Sequence, residues 1–376
     1  MFDMLDEQQS FDFQSFLSGF SLCSENLHSG YHASGSFRLD RGCNFPCNLM
    51  RLWMMQMQKK NKKILVRGCG VAGLTSAYML AKAGAEITIS APADSPRGAA
   101  SWYAGGMLAP YCERESAEAR VEELGLETMK WWAETLPDLV KHNGTLVVAP
   151  QRDSAELKRF SERTGGHRII DGDEIAKLEP DLAGRFNRGL FYETEGHIDP
   201  RKALLALKQK LADMNAHFVD VGTSEDGFDF IVDATGIARL GQDKDMRGVR
   251  GEMLLVHNTD ISFSRPIRLV HPRIPLYIVP RDNGIFMIGA TMIESNDDRP
   301  ITAHSMMDFL NAAYTIHPSF GEADIVEIGV GVRPAYEDNF PRVKQDGNHI
   351  YVNGMHRHGY LISPEMARQV TEIVMG

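Results

Sequence analysis

Gly68, Gly70 and Gly73 stand at the spacing G-x-G-x-x-G inside residues 64–80, ILVRGCGVAGLTSAYML. Apolar Ile64, Leu65 and Val66 precede them, and a helical pattern follows. A pyrophosphate site needs that order. Gly68 permits a tight turn, Gly70 lets the backbone approach the phosphates, and Gly73 lets helix and strand pack closely. The pyrophosphate then sits on the positive end of the helix dipole. The expectation is a dinucleotide site; a plain glycine-rich connection is the alternative.

Four further segments hold residue types able to do chemistry. Residues 100–110, ASWYAGGMLAP, form a small-residue loop in which Gly105 and Gly106 would let a flat ring system lie against backbone. Residues 228–236, FDFIVDATG, read as an apolar strand ending at Gly236, and strand C-termini are where ligands sit in open α/β sheets. Residues 276–292, LYIVPRDNGIFMIGATM, read as a hairpin that brings Tyr277 and Met292 to the same end. Two arginines complete the set, Arg333 in GVGVRPAYED and Arg357 in NGMHRHGYLISP. Arginine offers a planar fork that grips a carboxylate through two hydrogen bonds. An arginine in an apolar strand calls for an anion. A structural salt bridge to Glu337 or Asp338 meets that need as well as a bound ligand does.

The elements that position these groups follow from periodicity and turn residues. Strand 62–67, helix 72–83 and strand 86–90 make a β-α-β unit with a right-handed crossover. Helices are expected over 116–142, 153–164, 173–178, 200–214, 303–315 and 364–374. Asp199 is the expected N-cap of the helix over 200–214, which has Pro200 in its first turn. Strands are expected over 145–149, 228–232, 252–257, 276–280, 285–290, 324–332 and 349–353, with Asp282-Asn283-Gly284 as a hairpin turn. The fold class is α/β, with an α+β second domain. A Rossmann-like nucleotide domain over 62–110, 200–236 and 342–376 interleaves with a mixed-sheet substrate domain over 111–199 and 237–341. Residues 1–60 lack either period and read as a disordered or non-native leader, with Met54, Met55 or Met57 as alternative starts.

The chain has 376 residues and a formal charge of −10, which argues against a nucleic-acid partner. No apolar run approaches the ~20 residues that span a bilayer, and the N-terminus lacks the pattern of a signal peptide. Cys23, Cys43, Cys47, Cys69 and Cys112 form no C-x-x-C pair, so a reduced, cytoplasmic setting is expected. The His356-x-His358 pair has no accompanying ligand cluster, and no metal is expected.

Taken together, AGGMLA, YIVPR…GATM, GVRP and GMHRHGYLISP make residues 62–376 resemble the D-amino-acid oxidase superfamily of flavoproteins, nearest its glycine oxidase branch in thiamine synthesis. The resemblance implies non-covalent FAD. It places Val71 and Ala72 at the pyrophosphate turn. Ala100, Ser101, Gly105, Gly106 and Met107 would run along the ribityl chain and isoalloxazine. Met355, His356, Arg357, His358, Gly359, Tyr360 and Leu361 would wrap the flavin ring. It gives Arg333 and the Tyr277 hydroxyl to a substrate carboxylate, and it sets Arg357 and Met292 at the pocket border beside Met107. The implied reaction is oxidation of glycine or a small D-amino acid by hydride transfer to flavin N5, with O2 giving H2O2. Iminoglycine would pass to thiazole synthase, and the enzyme would be a homo-oligomer, a tetramer by resemblance. A dehydrogenase passing electrons from D-amino or N-methyl amino acids to a quinone is the alternative, and a non-catalytic flavin-binding subunit a second. Two departures stand out. Ala91 occupies the end of the second strand, where the family places a ribose-binding acid, with Asp94 as a substitute. His358 and Tyr360 alter the closing loop.

Overall fold

Ile64, Leu65 and Val66 are fully buried, as a strand covered on both faces requires. They belong to Lys63–Arg67, the interior of a six-stranded sheet. The computed structural model describes residues 61–376; the expected leader over 1–60 lies outside the described residues. Across this sheet the strands run Arg342–Asp346, His349–Asn353, Phe230–Asp233, Lys63–Arg67, Glu86–Ser90 and His217–Val219. All neighbours are parallel except the first pair, which is antiparallel. The sheet thus draws on three separated stretches of chain. Helices Val71–Lys82, Ala119–Thr135, Pro200–Asp213 and Gly359–Met375 contribute to the same apolar core.

A second sheet of nine strands fills the intervening chain. Its long members are Arg247–His257 and Asp324–Ala335, antiparallel along their whole length. The hairpin Leu276–Pro280 and Ile285–Gly289 lies beside them. Asn283 and Gly284 have φ of 59° and 69°, the left-handed conformation that a tight hairpin turn demands. Helix Ala303–Ile316 packs its Phe309, Ala313 and Ile316 into the core of this sheet. The expected α/β class is therefore found, and Asp199 caps its helix by accepting from the Arg201 and Lys202 amides at 2.9 and 3.4 Å.

Two helix boundaries differ from expectation for identifiable reasons. The helix expected over 116–142 is Ala119–Thr135, because Pro137 disfavours a helical residue before it and Val140–Lys141 pairs with Gly196–Ile198 instead. The closing helix begins at Gly359, well before 364, and carries Pro364 within it. Pro364 has no N–H for the Tyr360 carbonyl four residues back. The Trp132 indole N–H donates to that carbonyl at 2.6 Å, and the Thr128 hydroxyl donates to the Leu361 carbonyl. A neighbouring helix therefore repairs the break and fixes the start of the closing helix. Several short strands carry too little period to be read in sequence, among them Ile267–Leu269, Arg188–Tyr192 and the charged Arg342–Asp346.

Candidate active site

The glycine turn joins Lys63–Arg67 to its helix. Gly68 has φ 101°, and a Cβ there would lie 2.4 Å from the Ala234 carbonyl oxygen. A Cβ on Gly73 would lie 2.1 Å from the Gly68 carbonyl oxygen, so this glycine serves helix–strand packing, as expected, and does not face the cavity. The helix starts at Val71 with no side-chain cap, and the Val71 amide donates to Ser101 Oγ at 3.1 Å. Gly68, Gly70, Val71 and Ala72 open onto a cavity of about 770 Å³.

The loop after the second strand forms another wall, through Ala100, Ser101, Gly105, Gly106 and Met107. Its two glycines have a cause within the protein besides the one expected. A Cβ on Gly105 would sit 2.7 Å from the Tyr277 ring, and one on Gly106 would sit 2.0 Å from the Ile198 carbonyl oxygen. The protein's own tyrosine and strand therefore require them. Arg281 fixes this loop from below, donating to the Gly105 carbonyl at 2.7 Å. Gly236 also lines the cavity, together with Asp233 and Arg239, which form an ion pair at 3.4 Å. Ala91 is buried and lacks a polar group, whereas Asp94 lines the cavity.

Met355, His356, Arg357, Gly359, Tyr360 and Leu361 close the remaining side. The buried His356 Nδ1 has no partner among the described residues. Burial, with His358 and the two site arginines nearby, pulls His356 down to about 3. His358 differs from expectation. It is buried and directs Nδ1 to the Glu113 carboxylate at 3.2 Å, outside the cavity lining. Met292 also differs: its strand ends at Gly289, so it lies exposed beyond the cavity lining, with Sδ 3.4 Å from Arg357. Among the described residues no group of three or more His, Cys, Asp and Glu could hold a metal ion.

The two arginines have opposite charge environments. Arg333 lies over Gly251, where a Cβ would be 2.3 Å from the guanidinium carbon. It donates to the Thr291 carbonyl at 3.0 Å and has no carboxylate partner among the described residues. The salt bridge to Glu337 or Asp338 is not formed; Asp338 pairs with Arg342 at 3.0 Å. Burial pulls Arg333 below the usual arginine range, the direction expected of a cation awaiting an anion. Tyr277 stands in the same lining.

Arg357 is instead held by Glu113, Nε to Oε2 at 2.8 Å and a second guanidinium nitrogen to Oε1 at 3.0 Å. Burial raises Glu113, but Arg357, His358 and Arg268 outweigh it and hold the carboxyl well below its ordinary range. Glu113 and Arg281 are the groups sequence reasoning misses. The only local signal for Glu113 is a carboxylate just after the small-residue loop.

Glycines that open the turn, a helix that starts at the cavity and the His356 nitrogen unpartnered among the described residues give the cavity the features of a dinucleotide cofactor site. A model of FAD-dependent oxidoreductases, the DAO family, matches residues 63–373. The chain belongs to this family. As a family member it is an FAD-dependent oxidoreductase. Rhizobium etli has a relative named "Putative thiamine biosynthesis oxidoreductase ThiO", 55% identical over 310 residues, which are 82% of this chain and 95% of that protein. A glycine oxidase of Bacillus licheniformis is 24% identical over 85% of this chain and 94% of its own. The fold is similar to the crystal structure of glycine oxidase from Geobacillus kaustophilus, with TM-score 0.69, 22% identity and coverage of 84% and 95%.

Proposed function

We propose that this FAD enzyme oxidises glycine or a small D-amino acid to its imine, which is passed to a following enzyme or hydrolyses to an oxo acid and ammonia. The carrying observation is Arg333, a half-buried guanidinium with no carboxylate partner among the described residues, set beside Tyr277 in the cofactor cavity. Arg333 binds the substrate carboxylate through its fork, and the Tyr277 hydroxyl donates to the same group. This pairing orients the α C–H bond toward the cofactor, and orientation is the main work asked of the protein. The substrate amine gives its proton to solvent before transfer, so that its lone pair can form the C=N bond. When bound, FAD would supply the two-electron acceptor, with oxygen as the terminal oxidant and hydrogen peroxide as its product.

Val71, Ala72 and the glycine turn would hold the pyrophosphate, and Met355, His356, Arg357, Gly359, Tyr360 and Leu361 would hold the ring. Asp94 would take the ribose contact that Ala91 lacks. His356, neutral through burial, would line the cofactor site without adding charge. The resemblance of the Rhizobium etli relative supports delivery of the imine to thiazole formation. An uncommitted Arg333 opposes the non-catalytic alternative, since an empty cationic site has a burial cost and no use there.

The test has two arms. Glycine added without air should bleach the yellow holoenzyme, and readmitted oxygen should give peroxide; bleaching without peroxide would favour the dehydrogenase alternative. Arg333→Ala should raise KM for glycine by about 100-fold, the loss of a charge-assisted pair, while FAD stays bound. Arg333→Lys should recover little, because the fork is gone. Unchanged amino-acid kinetics in Arg333→Ala would refute the carboxylate role.

A further inference from the structure

We propose that Glu113 sets substrate charge: by pairing with Arg357 it leaves Arg333 as the one cation of the cavity lining without a carboxylate partner among the described residues, and so restricts the site to amines with one carboxylate. The inference rests on the function proposed above. Both members of the pair line the cavity that holds Arg333 and Tyr277. The Arg357 fork is closed on Glu113 by two contacts, at 2.8 and 3.0 Å. Its remaining nitrogen meets the Met292 sulfur, a weak acceptor, at 3.4 Å.

The surrounding charges balance in the same way. Arg268 stands 3.8 Å from Glu113 and 3.7 Å from Glu115, and Glu115 also meets Arg163 at 3.4 Å. His358 reaches Glu113 at 3.2 Å. Glu113 is thus the carboxylate on which three cationic or ionisable groups converge. Its charge faces the same space that a second substrate carboxylate would enter. A dicarboxylic amine would have to displace Glu113 from Arg357 and then sit beside the displaced anion. A monocarboxylic amine meets neither obstacle.

Sarcosine and iminodiacetate separate charge from bulk, because each carries an N-substituent on the glycine skeleton and only iminodiacetate adds a carboxylate. Peroxide formation is measured for both, with glycine as reference, on holoenzyme of wild type, Glu113→Gln, Glu113→Asp and Arg357→Met. In Glu113→Gln the kcat/KM ratio of iminodiacetate to sarcosine should rise at least tenfold, mainly through KM. Glu113→Asp retains the charge and should keep the wild-type ratio. Arg357→Met leaves Glu113 without its counter-charge, so the ratio should fall. The double variant Glu113→Gln with Arg357→Met should lose the gain. If Glu113→Gln does not load FAD, the fall in Arg357→Met carries the test. Wild-type turnover of glycine with a ratio unmoved in every folded variant overturns the Glu113 assignment alone. Wild type inactive on all three amines overturns the proposed function and this inference with it.

Discussion

Gly251→Ala offers a sharp test of how Arg333 is placed. Gly251 belongs to Arg247–His257, and its cross-strand partner is Gly331, two residues before Arg333. The guanidinium leans over Gly251. A Cβ on Gly251 would stand 2.3 Å from the guanidinium carbon and 2.5 Å or less from both terminal nitrogens. Gly251 is not among the residues with positive φ, so alanine fits the backbone, and the three atoms nearest its Cβ all belong to the Arg333 guanidinium. Displacement removes at least one charge-assisted hydrogen bond to the substrate, worth about 1.5–3 kcal/mol. At about 1.4 kcal/mol per tenfold, kcat/KM for glycine should fall by roughly 10- to 150-fold, mostly through KM. The added methyl costs about 1–3 kcal/mol of stability through overpacking. Peroxide kinetics should be paired with acetate binding, followed by the flavin absorbance of the oxidised enzyme. Acetate has a carboxylate and no amine, so it reports the arginine without the chemistry. In an Arg333→Ala background, Gly251→Ala should add little, because the shared target is already gone. A folded, FAD-loaded Gly251→Ala enzyme with wild-type KM and acetate affinity would refute this reasoning.

Two other perturbations address the cofactor loop and a buried acid. Arg281→Met removes the donor to the Gly105 carbonyl; the loss of about 1.5–3 kcal/mol should weaken FAD binding by tenfold or more in titrations of apoprotein, and an unchanged dissociation constant would count against the loop-fixing role. Glu195 is fully buried and accepts from the Cys112 amide at 2.8 Å, and burial pushes its carboxyl up from 4.5 to about 7. Between those pH values the folded state holds a proton that the unfolded chain has released, so its contribution is intact below 4.5 and is lost as pH rises through 7. Glu195→Gln should therefore match wild type near pH 5 and exceed it at pH 8 by up to about 3 kcal/mol, read as Tm across the two pH values; an equal Tm difference at both would exclude the titration.

What the sequence makes legible is what local chemistry dictates. The glycine turn, the Asp199 cap and the Asn283-Gly284 hairpin each need particular residues within a few positions. Arg333 is readable for the same reason, as a cation stranded in the apolar GVGVRP run. The glycines of that run have causes that sequence does not carry. A Cβ on Gly329 would meet the Tyr103 ring at 2.5 Å, and one on Gly331 would meet Ala100 at 3.3 Å. The small-residue loop lies on this strand, so residues more than two hundred positions apart set each other's size. Pro364 inside the closing helix is equally opaque, because its cost is met by Trp132 on a different helix.

Charge follows the same division. Near Arg333 the sequence supplies two acids, Glu337 and Asp338, and local proximity favours a salt bridge. The strand ends at Ala335, however, and Asp338 turns away to cap the Phe340 amide at 3.0 Å and to pair with Arg342. The nearby acid is thus committed elsewhere, and Arg333 remains available. Arg357 has no acid near it in sequence, yet Glu113 reaches it from 244 positions away. Sequence distance therefore misassigns both arginines, giving a partner to the one that lacks it and denying one to the other that has it. Because burial makes an unbalanced cation costly, Arg333 is the group whose cost a substrate carboxylate can relieve. Binding energy is largest where the fold has left a charge without a partner, and in the function proposed above that difference, rather than the presence of two arginines, is what the amino-acid carboxylate would use.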